Sequence, residues 1–185
     1  MASKPIEKGC LLIAEPFLGD PNFERSVVLL CDHHEEGSFG FVLNQITQIS
    51  LPDVLDGVIF SEIPLYVGGP VEKNTLHFIH RLPELIEDST LIQEGLYWGG
   101  DYEQVKTLIN LGKIRENDIR FFLGYSGWGN GQLEGELTDK VWITTQVESG
   151  FIFETPAEQF WRSILRKMGG KHKILSNYPL DPRLN

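Results

Sequence analysis

The chain has 185 residues, with 16 Lys and Arg against 26 Asp and Glu, a formal net charge of −10, and 41% hydrophobic residues. That size and balance describe one globular domain, which buries roughly 70% of the surface its unfolded chain exposes, and exclude a disordered or fibrous chain. Two Cys, both inside apolar runs (CLLIA and VVLLC), exclude a disulfide framework, and no apolar run reaches the ~20 residues that span a bilayer.

The charge is uneven. Residues 1–158 carry 10 basic and 25 acidic groups, a balance of −15, whereas residues 159–185 carry six basic and one acidic, a balance of +5. A nucleic-acid backbone is repelled by the body and attracted only by the C-terminal end. The N-terminus, MASKPIEKG, has no apolar h-region. A cytoplasmic protein with reduced, buried thiols is expected.

In chain order, β-branched and aromatic runs between turn residues predict strands at Cys10–Ala14, Val27–Cys31, Phe39–Leu43, Leu65–Val67, Leu76–Ile79, Leu96–Trp98, Ile119–Leu123, Val141–Val147 and Phe151–Phe153. Short helical turns are expected at Asp20–Arg25, where a capping Asp precedes Pro21, at Leu51–Asp56, and at Gln132–Leu137. Two helices are marked more strongly. The first starts at the cap Asp101, with Gln104 completing a capping-box pattern, and stops at Gly112. The second reads Thr155 as its cap, Pro156 as its first residue and Glu158 as the box partner. Its apolar stripe is Phe160, Trp161, Ile164, Leu165 and Met168, and Gly169-Gly170 ends it. Its opposite face carries Arg162 and Arg166, with Lys167, Lys171 and Lys173 following. Those five cations are either solvated helix surface or a docking face for an acidic partner or phosphate.

Motifs for catalysis fail on inspection. Gly124–Gln132 follows a strand, but no frame places three glycines as a dinucleotide fingerprint requires. Gly124-Tyr125-Ser126-Gly127-Trp128 lacks the final glycine of a hydrolase elbow, so a tight turn seating Tyr125 and Trp128 on the core is expected. His33-His34-Glu35-Glu36 reads as a polar loop between strands, and His77 and His80 fall on opposite faces of a strand. No cofactor, metal or catalytic residue is assigned.

One polar cluster is harder to dismiss. Asp20, Asn22, Arg25 and Ser26 lie together between core strands. Asp20 is either a cap or a general base, and Arg25 either an ion-pair partner or an anion clamp. With Asn44, the turn at Gly68-Gly69, the glycines Gly127–Gly131 and Gln132, these residues form the candidate ligand-binding set.

The segments together resemble the YqgE/AlgH family. The resemblance rests on Leu11–Ala14, Asp20–Val28, Val42-Leu43-Asn44, Val67–Val71, Gly124–Trp128, Gly131–Glu134, Trp142, Trp161, Met168-Gly169 and Leu184-Asn185. It implies a single α+β domain, residues 1–185, with a strongly bent, mixed, mainly antiparallel, partly barrel-like sheet flanked by helices. It brings no catalytic residues, and some members carry only a transcriptional-regulator label. Gln45-Ile46 stands where Arg-Pro is expected after Asn44, and Ser126 where Ala is expected. The expected function is a binding or regulatory protein without catalytic machinery. The alternative is an enzyme or binder of a small anionic ligand held by the DPNF and GW-x-x-GQL segments. Direct DNA binding is not expected unless the C-terminal basic segment provides it.

Overall fold

The computed structural model describes residues 5–179. The Leu184-Asn185 match lies outside them. Nine strands are present among the described residues: β1 Leu11–Ala14, β2 Val27–His34, β3 Gly37–Val42, β4 Leu65–Val67, β5 Val71–His80, β6 Thr90–Gln93, β7 Leu96–Trp98, β8 Ile119–Gly129 and β9 Trp142–Thr145. Five helices accompany them: α1 Tyr102–Asn110, α2 Gln132–Thr138, α3 Ser149–Glu154, α4 Ala157–Met168 and α5 Gly170–Leu175. A single 3-10 turn covers Leu51–Asp53.

The strands form one mixed sheet in the order β6-β7-β5-β8-β3-β2-β1-β9, with β4 beside β8. Every pairing is antiparallel except β4 with β8. Strand β8 is the hinge of the sheet. Its first half, Ile119–Leu123, pairs with β4 and β5, and its last four residues pair with β3. The alternation along β8 sends Phe122 into one apolar cluster with α3 and α4, and Ile119 and Phe121 into another with α1. A third cluster gathers Leu12, Val28, Trp128, Leu133 and Trp142 under α2.

Helix α4 closes the first cluster. Phe160, Trp161, Ile164 and Leu165 are buried, as the helical spacing requires, and truncating either aromatic to Ala removes about 3–5 kcal/mol. The Trp161 indole donates to the Ala14 carbonyl at 2.9 Å, tying the helix to β1.

The structure corrects several expectations. Phe151–Phe153 is not a strand but the middle of α3. All three residues pack into one cluster, and a short continuous apolar run carries no periodicity that separates strand from helix. The glycine-rich segment Gly124–Gly129 is not a tight turn but the second half of β8. The turn comes later, with Gly131 at φ 70° starting α2, while Trp128 is buried and Tyr125 packs against the core as expected. Asp20–Arg25 is a run of turns without a helix. Asp101 caps α1 through the Glu103 and Gln104 N–H groups, but the Gln104 side chain accepts from Glu87 N–H rather than closing a box. The α4 N-cap is Pro156, without a side-chain cap, because the Thr155 hydroxyl donates back to the Phe151 carbonyl at 2.6 Å. Gly169 ends α4, yet α5 begins at once at Gly170. Strand β6 was not anticipated from the sequence.

Candidate functional site

The DPNF turn and the GW-x-x-GQL segment meet. Asp20 accepts from the Asn22 N–H at 2.9 Å, which closes an Asx turn, and the Phe23 N–H donates to the Asp20 carbonyl at 3.0 Å. That turn carries Phe23 edge-on to Trp142, with centroids 5.5 Å apart. On the other side, Gly131 admits the sharp bend from β8 into α2, and Gln132 Oε1 accepts from the Gly129 N–H at 3.1 Å. The two segments enclose a cavity of about 350 Å³ lined by Asp20, Asn22, Phe23, Pro70, Trp128, Gln132, Glu136 and Trp142.

Glu136 fixes the floor of this cavity. Its Oε2 accepts from the indole N–H of Trp128 at 2.8 Å and of Trp142 at 2.7 Å, and its Oε1 accepts from Gln132 Nε2 at 3.1 Å. Two aromatic walls are thus locked to one half-buried carboxylate. Sequence reasoning passed over Glu136. The available signal was its position four residues after Gln132, one helical turn on, between two tryptophans in need of acceptors.

A second cleft, of about 560 Å³, adjoins the first across Val71, Gly127 and Trp128 and is walled by Phe39, His77, Trp98 and Tyr125. His77 Nε2 lies 2.9 Å from the Thr75 hydroxyl, and burial lowers its pKa, only partly opposed by Glu72.

The other predicted site residues lie elsewhere. Arg25, at φ 51°, places its guanidinium 4.7 Å from the centre of the Trp161 ring, and its Nη2 donates to the Tyr178 carbonyl at 2.8 Å and to that of Pro179. Burial lowers its pKa, Arg162 lowers it further, and Glu24 opposes them. Arg25 therefore ties the C-terminal segment to the core and does not face Asp20's cavity. Asn44 is a backbone clamp: its Oδ1 accepts from Val27 N–H at 2.9 Å and its Nδ2 donates to the Arg25 carbonyl at 2.9 Å. Gly68 and Gly69 serve close packing. The Gly68 N–H donates to the Leu123 carbonyl at 2.8 Å, and a Cβ there would lie 2.3 Å from Gly124 O. A Cβ on Gly69 would lie 2.2 Å from Tyr125 O.

Ser126 is fully buried and its hydroxyl donates to the Gly68 carbonyl at 3.1 Å, which leaves it no path to a substrate. His33 and His34 end β2, with His33 Nδ1 2.7 Å from the Ser38 hydroxyl. No cluster of three or more His, Cys, Asp or Glu with metal-ligand geometry occurs among the described residues. No helix among them is long and apolar enough to cross a membrane. Arg162, Arg166, Lys167, Lys171 and Lys173 are all exposed on α4 and α5.

Arg120 was also missed. It lies in β8 beside Phe121 and Phe122, is 4% exposed, and donates from Nη1 to the Leu43 carbonyl at 3.0 Å. Its guanidinium sits 4.7 Å from the Tyr66 ring centre. The signal was an arginine inside an otherwise apolar strand, where a charge requires a reason.

Known proteins share this fold and sequence. A family model described as AlgH-like matches residues 11–173. A UPF0301 protein of Cytophaga hutchinsonii is 49% identical over 97% of this chain and 100% of its own length. One from Chlorobium limicola is 43% identical over 97% of this chain and 96% of its own. Among solved structures, the AlgH protein of Pseudomonas aeruginosa superposes with a TM-score of 0.73 at 30% identity, covering 97% of both chains. A Corynebacterium diphtheriae protein, 22% identical, shares the fold at a TM-score of 0.78 over 96% of this chain and 95% of its own. The chain belongs to the AlgH-like family of UPF0301 proteins.

Proposed function

We propose that this protein is a binding module without catalysis of its own, and that its site is the cavity between the DPNF turn and the GW-x-x-GQL segment. The supporting observation is Glu136, whose two oxygens are held by two indoles and Gln132. A carboxylate so occupied is a poor general base, but it holds a shaped aromatic wall in one position. The charged groups lining this cavity are Asp20 and Glu136, both acidic. With Arg25 directed elsewhere, an anionic ligand has no counter-charge here. The chemistry favours a cation that donates hydrogen bonds, such as a guanidinium or ammonium lying against Trp128 and Trp142.

Titration with arginine amide, followed by NMR at the Trp128 and Trp142 indole N–H groups, tests this reading. Saturating shifts are expected, with about tenfold weaker binding in Asp20→Asn. Unmoved indoles, or equal shifts with sodium acetate at matched ionic strength, would contradict it.

A second reading rests on the exposed basic face of α4 and α5. Its five cations on a protein of net charge −10 suit an acidic protein surface better than nucleic acid, which the −15 body repels. This is the route by which a regulatory role would operate. Pull-downs with wild type and with Arg162→Glu/Arg166→Glu distinguish it. A partner lost only in the double variant supports the face, and identical partner lists remove it.

A further inference from the structure

Two features that the function above leaves unused line one cavity. One is Arg120, and the other is the N-terminus of α4. Arg120 is buried, carries one hydrogen bond, to the Leu43 carbonyl, and has no carboxylate within 4.0 Å among the described residues. Burial lowers its pKa, opposed by Tyr66. Helix α4 is 12 residues long, and its N-cap, Pro156, provides no side-chain cap. Among the described residues, the N–H groups of Ala157 and Glu158 have no acceptor. Such N–H groups and the helix dipole carry a partial positive charge. Arg120, Thr155, Ala157 and Glu158 all line one cavity of about 350 Å³.

We infer that this cavity binds the carboxylate of a small organic acid, gripped by the Arg120 guanidinium and the first N–H groups of α4. The guanidinium fork suits a two-oxygen acceptor, and the uncapped helix end supplies further donors to the same cavity. Ile46, Pro64, Phe153 and Pro156 give the cavity apolar walls, which suit a carboxylate attached to a hydrocarbon or ring. The rim decides the charge of the ligand. Glu116, Glu154 and Glu158 also line the cavity and are exposed, and Glu154 already pairs with Arg81 at 3.3 Å. A single negative charge is balanced by Arg120 and the helix end. A phosphate dianion would bring a second charge against three carboxylates.

The test is an NMR titration with sodium benzoate against sodium chloride at matched ionic strength, following Arg120 Nε–H and the amides of Ala157 and Glu158. Saturating shifts at all three are expected, with affinity weakened at least about tenfold in Arg120→Met. Removing a rim charge in Glu158→Gln should tighten binding severalfold, and this variant keeps the test usable if Arg120→Met does not fold. The inference is overturned by the absence of saturation, by equal shifts with chloride, by inorganic phosphate binding as tightly as benzoate, or by weaker binding in Glu158→Gln. That last result would mean that Glu158 helps to hold the ligand rather than repelling it. Because the Asp20 cavity plays no part in this experiment, its outcome is independent of the function proposed above.

Discussion

Glu136 shows how one side chain sets a site. Replacing it with Ala leaves two indole N–H groups without their acceptor, at a cost of about 1–3 kcal/mol each when sealed from water. Urea denaturation should show Glu136→Ala losing at least about 2 kcal/mol, and Glu136→Gln, whose amide oxygen still accepts, losing distinctly less. Equal stability of Glu136→Ala and wild type would mean that the indoles are not held this way. His80 supplies a pH test. Its Nδ1 accepts from the Leu82 N–H at 3.0 Å, and its Nε2 lies 3.0 Å from the Gly99 carbonyl and 2.9 Å from the Ser89 hydroxyl. Burial lowers its pKa from 6.5, and the Gly99 carbonyl opposes this. The unfolded chain therefore takes up a proton that the native state resists. Stability is complete above pH 6.5 and falls as the pH drops below it, until the native His80 itself titrates. His77 and His172 shift in the same direction, so the comparison that matters is with His80→Asn. Urea midpoints at pH 7.5 and 5.5 should differ less in that variant, and an unchanged difference would remove His80 from the account.

The cysteines belong to the same scale. Burial raises the Cys10 thiol to about 11, only partly opposed by the Thr145 carbonyl, and raises Cys31 well above its usual value, with Asp32 adding to it. Neither should react with a thiol reagent at pH 8 until the protein is unfolded. Rapid labelling of the native protein would contradict their burial.

Among the elements, those whose sequence carried a period were legible. The stripe Phe160, Trp161, Ile164 and Leu165 gave α4 its buried face, and Asp101 gave α1 its cap. Phe151-Ile152-Phe153 carried no period and became helix where strand was expected. The glycines of Gly124–Gly129 read as a turn, but here they let strands approach closely. A Cβ at Gly124 would lie 2.7 Å from the Val71 carbonyl, and one at Gly40 would lie 2.1 Å from the Leu29 carbonyl. Such contacts are made across the sheet, and no local pattern announces them. Gly68→Ala tests the point. Its Cβ meets Gly124 O and the packed Phe122 and Phe41 side chains, so a loss of about 1–3 kcal/mol is expected by thermal or urea denaturation. A neutral effect would mean that β4 and β8 can separate at little cost.

At the scale of the whole molecule, the sequence located the two segments that form the cavity, because DPNF and GW-x-x-GQL are dense in turn and aromatic residues. It misassigned Arg25 and Asn44, because a polar residue near a site in sequence is as easily a clamp as a ligand. Asn44 holds the Val27 and Arg25 backbones, and Arg25 holds the Tyr178 and Pro179 carbonyls. It also expected an anionic ligand there, whereas the charged groups of the cavity are Asp20 and Glu136, both negative, the latter arriving from α2. The net charge of −10 agrees with that sign: an acidic body with an acidic, aromatic cavity is suited to cationic groups. The most direct test is equilibrium binding of arginine amide to wild type, Asp20→Asn and Arg25→Gln by calorimetry at fixed salt. The account predicts that Asp20→Asn weakens binding by about tenfold, one charge-assisted contact, while Arg25→Gln leaves it unchanged. Binding that survives Asp20→Asn but fails in Arg25→Gln, or that is stronger for acetate than for arginine amide, would contradict it.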